Sequence, residues 1–202
     1  MGVFSASHDF ETLLAESVRV HGHLCAGQVL GVRLAMLGLD LLGIEDPKGK
    51  DRKSFLVLVE IDRCATDALQ SVTGCSLGKR SLKWIDYGVM AASFVHSDTM
   101  EGYRIIAKEE SREISKQYFP EIEDKYQRQK EAYKHMSNEE LFEIQRVKVK
   151  IPREDMPGRP IRRVQCIRCG DWVQDCREVM TDEGPLCRAC AMYSYYTLLK
   201  KD

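Results

Sequence analysis

"FLVLVEI", Phe55 to Ile61, is an unbroken run of β-favouring apolar residues with no polar alternation. A strand with one wet face alternates; one covered on both faces does not. The run therefore predicts a central strand of a sheet packed inside the protein, and the rest of the chain is read outward from it.

Upstream, Ala26 to Leu42 reads as a helix that is apolar nearly all round. Its only charged residues, Arg33 and Asp40, are seven apart on one face, and Gly43 stops it. Such a helix needs cover on most sides, which puts it at the centre of the domain. Phe10, Leu13, Leu14 and Val18 recur at helical spacing and predict a short amphipathic helix before it.

Downstream, Cys64 to Val72 is helical in type and "TGCSLGK" is a Gly-punctuated loop. Strands are expected at Leu82 to Tyr87, Val89 to Val95 and Tyr103 to Ala107. A polar helix follows from Glu109 to Phe119, ended by Pro120. Glu121 to His135 is charged enough for a solvated surface helix. Ser137 and Glu140 form a capping box, and Val147, Val149 and Ile151 alternate with lysines as a last half-exposed strand. Together these predict an α+β core with a mixed sheet flanked by helices, over residues 1–151.

"IPREDMPGRPI" carries three prolines and a glycine and marks a linker at 152–161. Beyond it, in 162–202, "CIRCG" and "CRAC" set Cys166, Cys169, Cys187 and Cys190 as two Cys-x2-Cys pairs with seventeen residues between them. Each x2 turn points two sulfurs at one centre, so four thiolates can close a tetrahedron about structural zinc. A lobe this small cannot hold itself by apolar burial, and zinc takes the place of a core. Gly170 suits the first knuckle, and "ACAMYSYYTLLK" after the second pair is helical in type, the order of a treble-clef-like finger. Cys176 is left over as a buried thiol.

Thirty basic and thirty-one acidic residues give no net field toward nucleic acid or an anionic membrane. From Arg159 onward there are eight Lys or Arg against six Asp or Glu, too thin a stripe for a phosphate reader. Nucleic acid is not the expected partner, although an adaptor role for the finger stays open. "MGVFSASHDF" has no cationic start leading into an apolar core, and Arg33 and Asp40 interrupt the richest apolar run, so the expectation is a cytoplasmic protein without membrane attachment.

The stretch that carries chemistry is "VHGHLCAG", residues 20–27, with His21, His23 and Cys25 at every second position. In extended backbone all three project to one side. Cys25 stands at the start of the apolar helix, where free amides favour a thiolate. "EIDRCATDALQ" then places Asp62, Cys64 and Asp67 just past the strand tip, the edge where open sheets build their sites. Two histidines and two cysteines suit zinc or another divalent metal that accepts imidazole and thiolate. A thiol-redox pair using Cys25 with Cys64 or Cys75 is the alternative. "GCSLGKRS" fails as a phosphate loop, having three residues between its glycines and Arg80 in place of Ser or Thr. Lys79 is more simply a loop lysine than an anion anchor.

As a set, "HGHLCAG", "DRCATDALQ" and "TGCSLGK" resemble the FmdE family, named for a component of formylmethanofuran dehydrogenase; some of its members carry a C-terminal zinc finger. The likeness spans most of residues 8–151. It implies a metal site in which His21, His23, Cys25 and Cys64 are ligands. Cys25, Cys64 and Asp67 then stand as catalytic candidates, with Asp67 as proton carrier. It further implies association with molybdenum or tungsten enzymes of one-carbon, methanogenesis-related metabolism; whether the chain is itself an enzyme stays open. The family's usual proline is Ala26 here, which removes no ligand. The apolar helices make a homodimer the expected oligomer.

Overall fold

A computed structural model describes residues 3–199, and the chain divides after Lys150 into two compact units. In the first, β1 (Phe55–Val59) pairs in parallel with β2 (Leu82–Trp84) and antiparallel with β3 (Ala91–His96). The sheet continues antiparallel through β4 (Glu101–Ala107) to β5 (Phe142–Lys148), in the order β2-β1-β3-β4-β5. It is mixed, and the fold is α+β. β1 is an interior strand as expected, but β3 is the middle one. β2 is shorter than expected, and β5 begins directly behind the capped turn, earlier than its valines suggest.

Seven helices belong to this unit among the described residues: α1 (Val3–Ser7), α2 (Phe10–His21), α3 (Ala26–Leu42), α4 (Cys64–Thr73), α5 (Ser111–Tyr118), α6 (Lys125–His135) and α7 (Asn138–Leu141). The boundaries follow local chemistry. Asp9 caps α2 by accepting from the Thr12 amide, and Gly22, at φ 96°, closes it in the left-handed region that glycine tolerates. Gly43 closes α3 in the same way. The capping box of Ser137 and Glu140 is present at α7.

α3 is the central helix. Val29, Val32, Ala35 and Leu39 are fully buried in one cluster with Phe55, Val57 and Val59 of β1, Phe94 of β3 and Ile105 of β4. A Cβ on Gly38 would run into the Phe94 ring, so this glycine lets α3 seat directly on the sheet. α6 departs from the expectation of a solvated helix. Ala132 and Tyr133 are buried in the core, and Arg33 reaches from α3 to the end of α6. There its guanidinium donates to the carbonyls of Tyr133 (2.9 Å) and Met136 (2.8 Å) and to Asn138 Oδ1 (2.9 Å). The arginine supplies the donors that the end of α6 lacks.

The second unit holds two short hairpins, β6 (Arg163–Gln165) with β7 (Trp172–Gln174) and β8 (Val179–Thr181) with β9 (Gly184–Leu186), followed by α8 (Arg188–Ala191). The helix expected over "ACAMYSYYTLLK" ends after one turn, at Ala191. Tyr193, Tyr195, Leu198 and Leu199 beyond it are all largely exposed, so no apolar face is buried to hold further turns; Lys200, the last residue of that stretch, lies outside the described residues. The proline-rich segment includes a short 3-10 turn, Arg153–Asp155. No helix among the described residues is long and apolar enough to cross a membrane.

Candidate metal centres

All eight cysteines are free thiols. Six of them fall into two groups that can hold a metal ion, Cys166, Cys169, Cys187 and Cys190 in the second unit and Cys25 and Cys64 with His21 in the first. Within each group the ligand atoms lie within 4.8 Å of one another.

The first-unit cluster is assembled by three helix termini. His21 is the last residue of α2, Cys25 is the N-cap of α3 and Cys64 opens α4. The expected extended run from His21 to Cys25 is therefore not how these side chains meet. Gly22 instead reverses the chain out of α2, so that the C-terminus of one helix and the N-terminus of the next face the same point. Close packing of α3 on α4 brings in Cys64. A Cβ on Gly31 would sit 2.7 Å from both the Ala65 carbonyl oxygen and Ala68 Cβ, and one on Gly27 would sit 3.0 Å from Cys64 Cβ. The two glycines leave the notch that α4 fills.

His21 is held by its neighbour. Its Nδ1 lies 2.7 Å from Asp67 Oδ2, one turn along α4 from Cys64. A carboxylate only accepts, so the Nδ1 proton points at Asp67 and the lone pair is on Nε2. That Nε2 is buried and has no hydrogen-bond partner. A buried nitrogen lone pair beside two thiols, with the opposite ring nitrogen tied to a carboxylate, is the arrangement of a metal-ligating histidine with its outer-shell orienter. The donor set, one imidazole and two sulfurs, fits zinc. Burial, and then the neighbouring Cys25 sulfur, push the Cys64 thiol up from its ordinary value. A cation between the two sulfurs would offset both effects.

His23 is placed differently from the expectation. It is exposed, and its ring packs at 4.6 Å from that of His21 without joining the cluster. Cys75 is buried in the apolar core, away from the ligand group. Lys79 donates to the Gly74 carbonyl at 2.9 Å, the loop-lysine role.

Two residues of the site escape a reading by motif. Gln28, fully buried in the first turn of α3, donates through Nε2 to the Cys64 carbonyl at 2.5 Å, and its Oε1 accepts from the buried Ser17 hydroxyl of α2. The only signal in the sequence is an amide at the start of an otherwise apolar helix.

In the second unit, Cys166 and Cys169 flank the knuckle closed by Gly170, at φ 80°, while Cys187 caps α8 and Cys190 lies within it. Cys169 Sγ is 3.7 Å from Cys187 Sγ. Amides of Cys169 and Cys187 lower the Cys166 thiol to about 6. The Asp171 amide draws Cys169 down, but burial and the neighbouring sulfurs push it up to about 12. Hydrogen bonding with Cys187, then burial, raise Cys190. One thiolate forms readily and the next are resisted, the signature of a cluster that awaits a cation.

The family model described as "FmdE, Molybdenum formylmethanofuran dehydrogenase operon" matches residues 20–151. The chain belongs to the FmdE family. A "Probable S-adenosyl-L-methionine-binding protein" of Archaeoglobus fulgidus is 30% identical over 93% of this chain. The chain spans 54% of that relative's length. The crystal structure of an FmdE-like protein of tungsten formylmethanofuran dehydrogenase type, from Syntrophus aciditrophicus, superposes with a TM-score of 0.65 at 22% identity. That match covers 98% of this chain and all of the other, and it shows the FmdE-like fold. The family match takes in His21, Cys25, Cys64 and Asp67, whereas the finger cysteines lie beyond it.

Proposed function

We propose that this FmdE-family chain binds two zinc ions. One, in the core, is held by His21, Cys25 and Cys64 and serves one-carbon redox chemistry; the other, held by Cys166, Cys169, Cys187 and Cys190, folds the finger. The observation that carries the core site is His21 itself, with Nδ1 fixed by Asp67 and Nε2 buried, unpartnered and in company with two thiols. Zinc on three protein ligands keeps a fourth position that can polarise a bound water or carbonyl. On this reading Asp67 orients His21 first and relays a proton second, since its oxygen is already committed to the imidazole. His23, exposed beside His21, is the residue that exchanges protons with solvent.

The operon named in the family description supports a role alongside the other components of a molybdenum or tungsten formylmethanofuran dehydrogenase, as accessory or catalytic subunit. Metal stoichiometry tests the core of the proposal. The purified chain should hold two zincs, and Cys25→Ser should hold one, with the finger cysteines still protected from alkylation. Two zincs retained in Cys25→Ser would refute the site. A reversible Cys25–Cys64 disulfide in a chain whose core takes up no metal would favour a thiol-redox protein instead.

A further inference from the structure

We propose that Gln28 is a positioning residue that sets the geometry of the core metal cluster; the inference rests on the metal reading above. The three ligands come from three different helices, so the cluster is only as well defined as the helix packing. Apolar contacts alone allow small slides of one helix on another, and metal sites lose affinity when ligands are misplaced by a fraction of an ångström. Gln28 removes that freedom with directional bonds. It stands three residues after Cys25 in α3, donates at 2.5 Å to the carbonyl of Cys64 in α4, and accepts from Ser17, which lies one turn before His21 in α2. One amide thus contacts the ligand-bearing ends of all three helices.

Burial gives the brace its strength. Gln28 and Ser17 are both fully buried, so breaking either bond leaves a polar group without water to replace its partner. A carboxamide also has both a donor and an acceptor end, which the two neighbours require: the Cys64 carbonyl needs a donor and the Ser17 hydroxyl an acceptor. An apolar residue of the same size would fill the space and tie nothing. Glutamine in the first turn of an apolar helix otherwise carries a desolvation cost that packing does not offset.

The test uses the full chain with cobalt(II) or zinc as probe. Gln28→Met keeps the side-chain length and deletes both bonds, Ser17→Ala deletes one, and Val32→Ala, fully buried on the same helix, is a control for simple destabilisation. Chelator competition should show zinc leaving the core site about 10-fold more easily in Gln28→Met, within the range typical of lost outer-shell support. Ser17→Ala should show a smaller weakening, and Val32→Ala none. The sulfur-to-cobalt and ligand-field bands of the core site should shift in Gln28→Met, while those of the finger stay fixed. Core affinity and spectrum of Gln28→Met equal to the parent chain would overturn the brace while leaving the metal site standing, and so would equal losses in Gln28→Met and Val32→Ala. A parent chain holding one zinc, in the finger alone, would overturn the metal reading and the brace with it.

Discussion

Asp67 Oδ2 stands 2.7 Å from His21 Nδ1, across forty-six residues of chain. The pair joins the end of α2 to the first turns of α4 and decides which imidazole nitrogen faces Cys25 and Cys64. Without the carboxylate the ring can rotate or bind through the wrong nitrogen. Asp67→Ala should therefore weaken core zinc about 10- to 100-fold, as loss of an outer-shell partner does. Asp67→Asn can still accept from Nδ1 and should fall between Asp67→Ala and the parent chain. Chelator competition on the intact chain reads both.

Gly31 is where α3 and α4 touch. A methyl group there would meet the Ala65 carbonyl and Ala68 Cβ at 2.7 Å, neither of them the free end of a flexible side chain. Gly31→Ala should destabilise the first unit by about 1–3 kcal/mol through overpacking, despite the higher helix propensity of alanine. It should also spread the cluster, because Cys64 moves with α4. Urea unfolding gives the first effect and zinc content the second. Gly43→Ala, at a helix end with open space around it but φ 68°, should cost stability without loss of metal.

Much of this is legible in the sequence, for identifiable reasons. α3 is readable residue for residue because its composition allows no other element and Gly43 gives a stop with a backbone cause. β1 is readable because a run apolar on both faces has one common home in an α+β domain. Cys166, Cys169, Cys187 and Cys190 are readable as a group because metal spacing is local. Ligands meeting through tertiary packing are harder. His21 and His23 look equivalent in "VHGHLCAG", and Gly22, by ending α2 in the left-handed region, is what turns one into the cluster and leaves the other at the surface. The Gln28 bonds to Ser17 and Cys64 span eleven and thirty-six residues and leave no periodic trace. α6 misleads because the burial of Ala132 and Tyr133 depends on Arg33, a hundred residues earlier.

Core zinc should be sensitive to acid in a stated direction. Burial and Cys25 raise the Cys64 thiol, so in the metal-free chain Cys64 is protonated at neutral pH and must lose that proton to bind. Its raised value favours the protonated, metal-free form, and that form gains as pH falls. Apparent affinity should drop by at least about 10-fold for each unit of pH between 8 and 6, one proton being released through Cys64 alone. Proton release on zinc addition, read calorimetrically in buffers of different ionisation enthalpy, checks it. A pH-independent affinity would mean that Cys64 is not a ligand.

Zinc removal should act unequally on the two units. The first has an apolar core running through α3 and all five strands of its sheet, whereas Cys166 and Leu186 are the only buried apolar residues among those described in the second. Hairpins of three-residue strands are not stable alone, and a small lobe without a core depends on its metal for folding free energy on the order of 10 kcal/mol. A strong chelator, or Cys187→Ser, should therefore melt β6 through α8 while α3 and β1 stay folded. Amide exchange shows this directly: protection should vanish over residues 163–191 and persist over Val29 to Leu42 and Phe55 to Val59. In Cys25→Ser the pattern should reverse in location but not in extent, since losing core zinc frees three helix ends without removing the apolar contacts that hold them.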